Sequence, residues 1–402
     1  MQNDTSYSNS PSELAPNSFR GDGGYNYIIT GSGCAGLSLL MRLLQEPQLC
    51  HKKILLLDQS PKNKNDRTWC FWEKEKGLFE PIVHHHWHSL NFKSQQFSST
   101  LAIAPYTYKM IRGIDFYQYV MQYAAQFSNV EFRYENVRSI RSENNTAIAI
   151  TDQHTYTADF IFNSILFEKP TLVKGKHLLQ QHFKGWVIET KEQIFDPAIA
   201  TFMDFTIDQK NGTEFMYVLP LSSTEALVEY TLFTEQLLEQ EEYSSALKEY
   251  ISAHLKISDY SIVHEEFGII PMTNHRFVKH EGNIVNIGIA GGAAKGSSGY
   301  AFQFIQKRTK SIVQSLLQYD HPFTKTSFAE KKFHFYDSVL LNVLANKKLN
   351  ADKIFSDIFS KCNPETILQF LDNETDLLQD LQIIKSLPTS VFLSAALEEM
   401  LS

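Results

Sequence analysis

Tyr27-Ile28-Ile29-Thr30-Gly31-Ser32-Gly33-Cys34-Ala35-Gly36 is the stretch that decides the fold. A short strand-forming run enters a glycine-rich turn, and the apolar residues beyond it predict a helix over 37–44. The first glycine permits a tight bend, the second lets a phosphate reach the backbone, and the third lets helix and strand pack closely. Ser32, Cys34 and Ala35 complete a loop whose helix start offers free N–H groups and partial positive charge to a pyrophosphate. Ile54-Leu55-Leu56-Leu57 reads as a second buried strand, ending on Asp58 about 20 residues beyond Gly36. A carboxylate there suits ribose hydroxyls; a glycine turn without ligand is the plain alternative.

Far downstream, a buried strand near Ile284 runs into the segment Gly288-Ile289-Ala290-Gly291-Gly292-Ala293-Ala294-Lys295-Gly296-Ser297-Ser298-Gly299-Tyr300, which feeds a helix over 300–317. Two such turns suit a long two-part cofactor, FAD. Gly291, Gly292, Ala293, Gly296, Gly299 and Tyr300 are then candidate contacts, and a loop packed for sheet closure is the alternative. Arg67 and Arg112 are flavin or phosphate contacts, or plain surface cations.

Aromatic and β-branched runs predict strands over 68–72, 89–97, 186–190, 200–205, 215–221 and 227–233, with a helix over 115–127. The expected architecture is α/β. A Rossmann-like FAD-binding domain takes residues 25–66, 105–165 and 282–320, and a β-rich substrate domain takes 67–104 and 166–281. A helical region follows over 321–402, where Ile354, Phe355, Ile358 and Phe359 mark one apolar face and Leu377, Leu378, Leu381 and Ile384 another. Asn363-Pro364 reads as a cap with a first-turn proline. Residues 1–24 are polar and read as a disordered extension, not a signal peptide.

The 402 residues carry 37 basic and 45 acidic side chains, a net charge of −8, which argues against nucleic acid as a partner. The four cysteines form no Cys-x-x-Cys pair, so a reducing cytoplasm is expected. No run reaches the ~18 apolar residues of a membrane span, so any membrane contact is expected to be peripheral.

In Leu227-Val228-Glu229-Tyr230-Thr231 the period of two puts Leu227, Glu229 and Thr231 on one face. A carboxyl flanked by apolar positions risks burial, which raises its pKa and suits it to donate a proton near neutral pH. A solvated glutamate on an edge strand is the alternative. His84, His86 and His88 would share a strand face, but no Asp, Glu or Cys joins them at ligand spacing, and no metal is expected. Trp69, Phe71 and Trp72 read as core.

These features together resemble the bacterial lycopene β-cyclase family, over nearly the whole chain after Tyr25. The resemblance rests on the Gly31–Gly36 turn, "NDRTWCFWE" (65–73), "FKGWVIET" (183–190), "ATFMDF" (200–205), "YVLPLSSTEALVEYT" (217–231) and "AGGAAKGSSGYAF" (290–302). The tail "IFSDIFSKCNPETILQFLD…IIKSLPTSVFLSAAL" (354–397) adds to it. It implies a hydroxybenzoate-hydroxylase-like two-domain flavoprotein that cyclises the ψ-ends of lycopene, or a related acyclic carotenoid, without net redox change. It also implies reduced FAD as cofactor, NAD(P)H as reductant of the flavin, and peripheral attachment to the cytoplasmic face of the inner membrane. The family's acid motif resembles F-L-E-E-T. Glu229 takes the first acidic position, while Tyr230 stands at the second, and the terminal base is then Glu229's carboxylate or the reduced flavin. A flavin monooxygenase, a geranylgeranyl-type reductase and a flavin-binding protein without turnover are the competing readings.

Overall fold

The computed structural model describes residues 24–168 and 175–401; the extension expected over residues 1–24 lies outside the described residues, Gly24 excepted. Strand Tyr25–Thr30 passes through the glycine turn into helix Cys34–Gln45, and strand Ile54–Asp58 returns parallel to the first. The helix starts at Cys34, earlier than its apolar periodicity indicates, because the turn's own residues form its first coil. Outward from Tyr25–Thr30, strands Thr155–Asn163 and Ile284–Asn286 add in parallel on one side, and Val130–Tyr134 extends the sheet beyond Ile54–Asp58.

Strand Ile54–Asp58 is buried at every residue, as expected of a parallel strand covered on both faces. Ile29, Leu56 and Phe162 pack under helices Cys34–Gln45, Gly113–Ala124 and Phe302–Tyr319. Ile28, Leu55 and Ile161 face the hairpin of strands Val137–Glu143 and Thr146–Thr151.

A second sheet of seven strands runs in the order Ser261–Thr273, Leu178–Glu189, Glu225–Thr234, Thr213–Pro220, Ile199–Asp204, Ser89–Lys93, Ser98–Ala102. Strand Glu225–Thr234 is therefore interior, not an edge. The run expected as one strand over 89–97 breaks at Ser94, whose hydroxyl accepts the N–H groups of Gln96 and Phe97 and closes a hairpin. On one face of this sheet Trp186, Val228 and Tyr230 pack against Tyr243, Leu247 and Tyr250 of helix Gln240–Ala253. On the other, Phe202, Leu219 and Leu227 join a core shared with the C-terminal helices.

Strands Thr68–Glu73 and His85–Trp87 do not enter that sheet. They flank Thr107–Arg112, which leads straight into helix Gly113–Ala124, and so tie the two large sheets together. Beyond residue 327 the described chain is helical. Asn363 caps helix Pro364–Leu371 by accepting the N–H of Thr366, and Ile354, Phe355 and Phe359 are buried.

Candidate active site

The glycine turn separates its three duties sterically. Gly31 has φ +95°, and a Cβ there would fall 2.2 Å from Ser164 Oγ. A Cβ on Gly36 would fall 2.0 Å from the Gly31 carbonyl oxygen, so only glycine allows this close crossing of helix and strand. A Cβ on Gly33 would meet nothing within 4 Å. Gly33 is also the N-cap of helix Cys34–Gln45, and no side chain among the described residues caps it. Uncapped N–H groups beside open space make an anion seat.

That seat opens into a cavity of about 450 Å³, within the range of small-molecule sites. Gly33, Cys34 and Ala35 form one end, while Gly299 and Tyr300 join the wall from the second glycine segment. Gln181 Oε1, buried in the wall beside Gly299, has no hydrogen-bond partner among the described residues. The open Gly33 and the unpaired amide oxygen fit a ligand carrying both an anion and hydrogen-bond donors, as a flavin dinucleotide does.

The other sequence candidates divide. Arg67 is on the cavity wall and donates to the carbonyls of Asp66 and Phe267. Arg112 is held in a bidentate ion pair with Asp115 at 2.6 and 3.0 Å, and is not on the wall. Asp58 is buried at its strand end, where its carboxylate accepts the N–H and hydroxyl of Ser32, both at 2.7 Å, and so stiffens the turn. Gly291, Gly292, Ala293 and Gly296 lie behind the wall: a Cβ on Gly291 would fall 2.3 Å from Asn286 O, and one on Gly296 2.8 Å from Thr273 O. Gly288, Ile289, Ala301 and Phe302, from the same segment and the helix it feeds, reach the wall instead.

Glu229 stands on the wall, and its Oε1 accepts a hydrogen bond from Thr231 Oγ1 at 2.8 Å. Tyr230 points through the sheet and donates to Glu214 on the far side. The position after Glu229 therefore faces away from the cavity whatever residue fills it. The second carboxyl comes from elsewhere. Gly185 pairs with Glu229 on one side and with Glu266 on the other, and both glutamates line the cavity. With no side chain on Gly185, Glu266 leans across it: a Cβ there would fall 3.1 Å from Glu266 Cγ.

The two carboxyls act on each other's proton affinity. Burial, and then the neighbouring Glu266, push Glu229 well above the usual carboxylate range. Burial also raises Glu266, but Thr68, His264, Glu229 and Arg67 oppose the rise. Around the pair stand Cys70, Tyr108, Tyr217 and Tyr300, with the Tyr217 and Tyr300 hydroxyls 3.2 Å apart. Trp69, half-buried, joins this wall, while Phe71 and Trp72 are core.

A model of the family described as lycopene cyclase protein matches residues 26–397. The chain belongs to the lycopene cyclase family. Lycopene beta-cyclase of Pantoea ananas is 26% identical over 266 residues, which cover 62% of this cyclase-family chain and 63% of the relative. The match thus spans less than two thirds of that relative's length. Among solved structures, a flavoprotein/dehydrogenase from Cytophaga hutchinsonii superposes with TM-score 0.65 at 12% identity, over 94% of this chain and 99% of that one. A geranylgeranyl bacteriochlorophyll reductase-like protein from Thermoplasma acidophilum gives 0.62 at 13%, over 92% and 98%. The halogenase PltM, solved with FAD, gives 0.55 at 12%, over 86% and 79%. At these identities the likeness is one of fold: a Rossmann-like α/β flavoprotein fold carrying a helical C-terminal region.

For this cyclase-family chain, sequence reasoning missed Glu266, which lies in the unremarked run Glu265-Glu266-Phe267-Gly268. His85 Nε2 bonds to the Pro197 carbonyl and His86 to Glu80, and among the described residues no group of three His, Cys, Asp or Glu is placed to hold a metal.

Proposed function

We propose that this family member is a lycopene β-cyclase, an intramolecular lyase that closes the ψ-ends of lycopene or a related acyclic carotenoid into β-ionone rings, via γ-carotene to β-carotene. Glu229 carries the reading: a carboxyl kept protonated by burial, on the wall of an aromatic cavity that begins at a glycine turn. Glu229 donates its proton to the terminal double bond, and the next double bond closes the ring onto the tertiary cation. Tyr217, Tyr300 and Trp69 line the same cavity and supply aromatic surface that stabilises such a cation. The cofactor is reduced FAD, replenished by NAD(P)H. Gly33, Cys34 and Ala35 would seat its pyrophosphate, and Gly299 and Tyr300 would line the same site. When bound, it supplies fixed negative charge beside the cation, without transferring hydride.

A C40 hydrocarbon is held in a bilayer, so the enzyme docks on the cytoplasmic face of the inner membrane. No helix among the described residues is long and apolar enough to cross one. The last two helices supply the docking surface. Leu377, Leu378, Leu381 and Ile384 line one exposed face of Leu377–Ser386, and Leu393, Leu397, Met400 and Leu401 one face of Thr389–Leu401.

Expression in a lycopene-accumulating bacterium, and conversion of unlabelled lycopene by the chain with reduced FAD in D₂O, test the reading. Monocyclic and bicyclic products carrying one solvent deuterium per ring are expected. Label arriving from the nicotinamide would identify a reductase, and oxygen uptake with an aromatic substrate a monooxygenase; either result, or unchanged lycopene, removes the proposal.

A further inference from the structure

Acid-initiated ring closure ends with loss of a proton, and the base that takes it is a separate question from the acid that starts it. We infer that Glu266 is that base, working with Glu229 as a two-carboxyl unit built across Gly185; the inference rests on the cyclase reading. Three observations carry it. Register places Glu229 and Glu266 on the two strands flanking Gly185, on the same face of the sheet. Both line one cavity, and a side chain at Gly185 would crowd the space between them. Each carboxyl shifts the other's proton affinity, so one proton serves the pair and one member remains an acceptor.

The asymmetry of their surroundings assigns the roles. Thr68, Arg67 and His264 favour charge on Glu266, whereas Glu229 has the Thr231 hydroxyl and lies among Cys70, Tyr217 and Tyr300. Glu229 thus holds the proton and Glu266 the negative charge. In the reaction Glu229's proton forms the new C–H bond at the chain end, and the internal double bond's electron pair forms the ring C–C bond. Glu266 then takes the hydrogen of the ring-closing carbon as a proton, and that C–H pair becomes the ring double bond. Afterwards the pair is reset by exchange with solvent, Glu266 giving up its proton and Glu229 taking one. Nothing is oxidised or reduced, and no further reactant is consumed.

The test uses the full chain with FAD, dithionite as reductant and lycopene in liposomes, read by product chromatography across pH. The wild type should show an acid limb, where Glu266 becomes protonated, and an alkaline limb, where Glu229 loses its proton. Glu266→Gln should lower β-ring formation roughly 100-fold, lose the acid limb, and release rings whose double bond lies elsewhere, because Glu229 still protonates. Wild-type products with both limbs intact overturn the inference, and so does a flavin-loaded E266Q chain that makes no ring at all. Thr68→Val, which removes a hydroxyl favouring Glu266's charge, should move the acid limb to higher pH; an unmoved limb counts against it. A wild type that leaves lycopene acyclic sinks the cyclase reading itself, which distinguishes that failure from this one.

Discussion

Tyr230 donates its hydroxyl hydrogen to the buried carboxylate of Glu214, on the opposite face of the sheet from Glu229. The tyrosine therefore serves the packing beneath helix Gln240–Ala253 and has no access to the cavity. Tyr230→Phe leaves the buried Glu214 short of a donor and should cost about 1–3 kcal/mol of stability. Ring products and their ratio should be unchanged. A fall in melting temperature with normal product distribution is the expected result; altered products would return Tyr230 to the site.

Gly33 and Gly36 are three residues apart, yet substitution at each should fail differently. Alanine at Gly36 drives its Cβ into the Gly31 carbonyl, so loss of about 1–3 kcal/mol or more of stability is expected. Aspartate at Gly33 enters open space and should fold normally, but it sets a carboxylate where a pyrophosphate would sit. Thermal melts together with retained flavin absorbance separate the two. A Gly33→Asp chain that keeps its flavin would remove the anion seat from the proposal.

How far the sequence could be read followed the distance over which each feature is decided. The first βαβ unit was legible because strand, turn and helix are consecutive, and each glycine answers a neighbour a few residues away. Glu229 was legible as one face of a period-two strand. Glu266 was not, because its place depends on how strand Leu178–Glu189 registers against two partners about 40 and 80 residues downstream. Gly185, whose missing side chain makes room for the pair, carries no local signal for that role. The apolar face of helix Leu377–Ser386 was equally legible and equally mute: periodicity shows that four leucines and isoleucines share a face, not what the face meets.

That face yields a prediction because it is exposed. Leu378 is 74% exposed and Leu397 52%, so Leu378→Asp and Leu397→Asp should leave the melting temperature nearly unchanged. If these side chains enter a bilayer, each replacement should weaken liposome partition roughly tenfold or more. Co-flotation with vesicles measures it. Unchanged flotation of the double variant would place the docking surface elsewhere.

Glu229 links stability to pH in a direction opposite to that of a salt-bridged carboxylate. Its ordinary value is 4.5, and in the folded chain burial and Glu266 lift it well above that. Between those two values the folded chain holds a proton that the unfolded chain has released, so stability is greatest below the ordinary value and falls as pH rises through the folded one. Glu266, also raised, adds to the same slope. Glu229→Gln cannot ionise, so its share of that slope is lost. Calorimetric melts from about pH 5 to about pH 8 should therefore decline more steeply for the wild type than for E229Q. The same variant should bind flavin yet lose ring formation by at least about 100-fold at every pH. Parallel melting curves would mean that Glu229 is already ionised in the folded chain, and a carboxylate cannot begin this reaction.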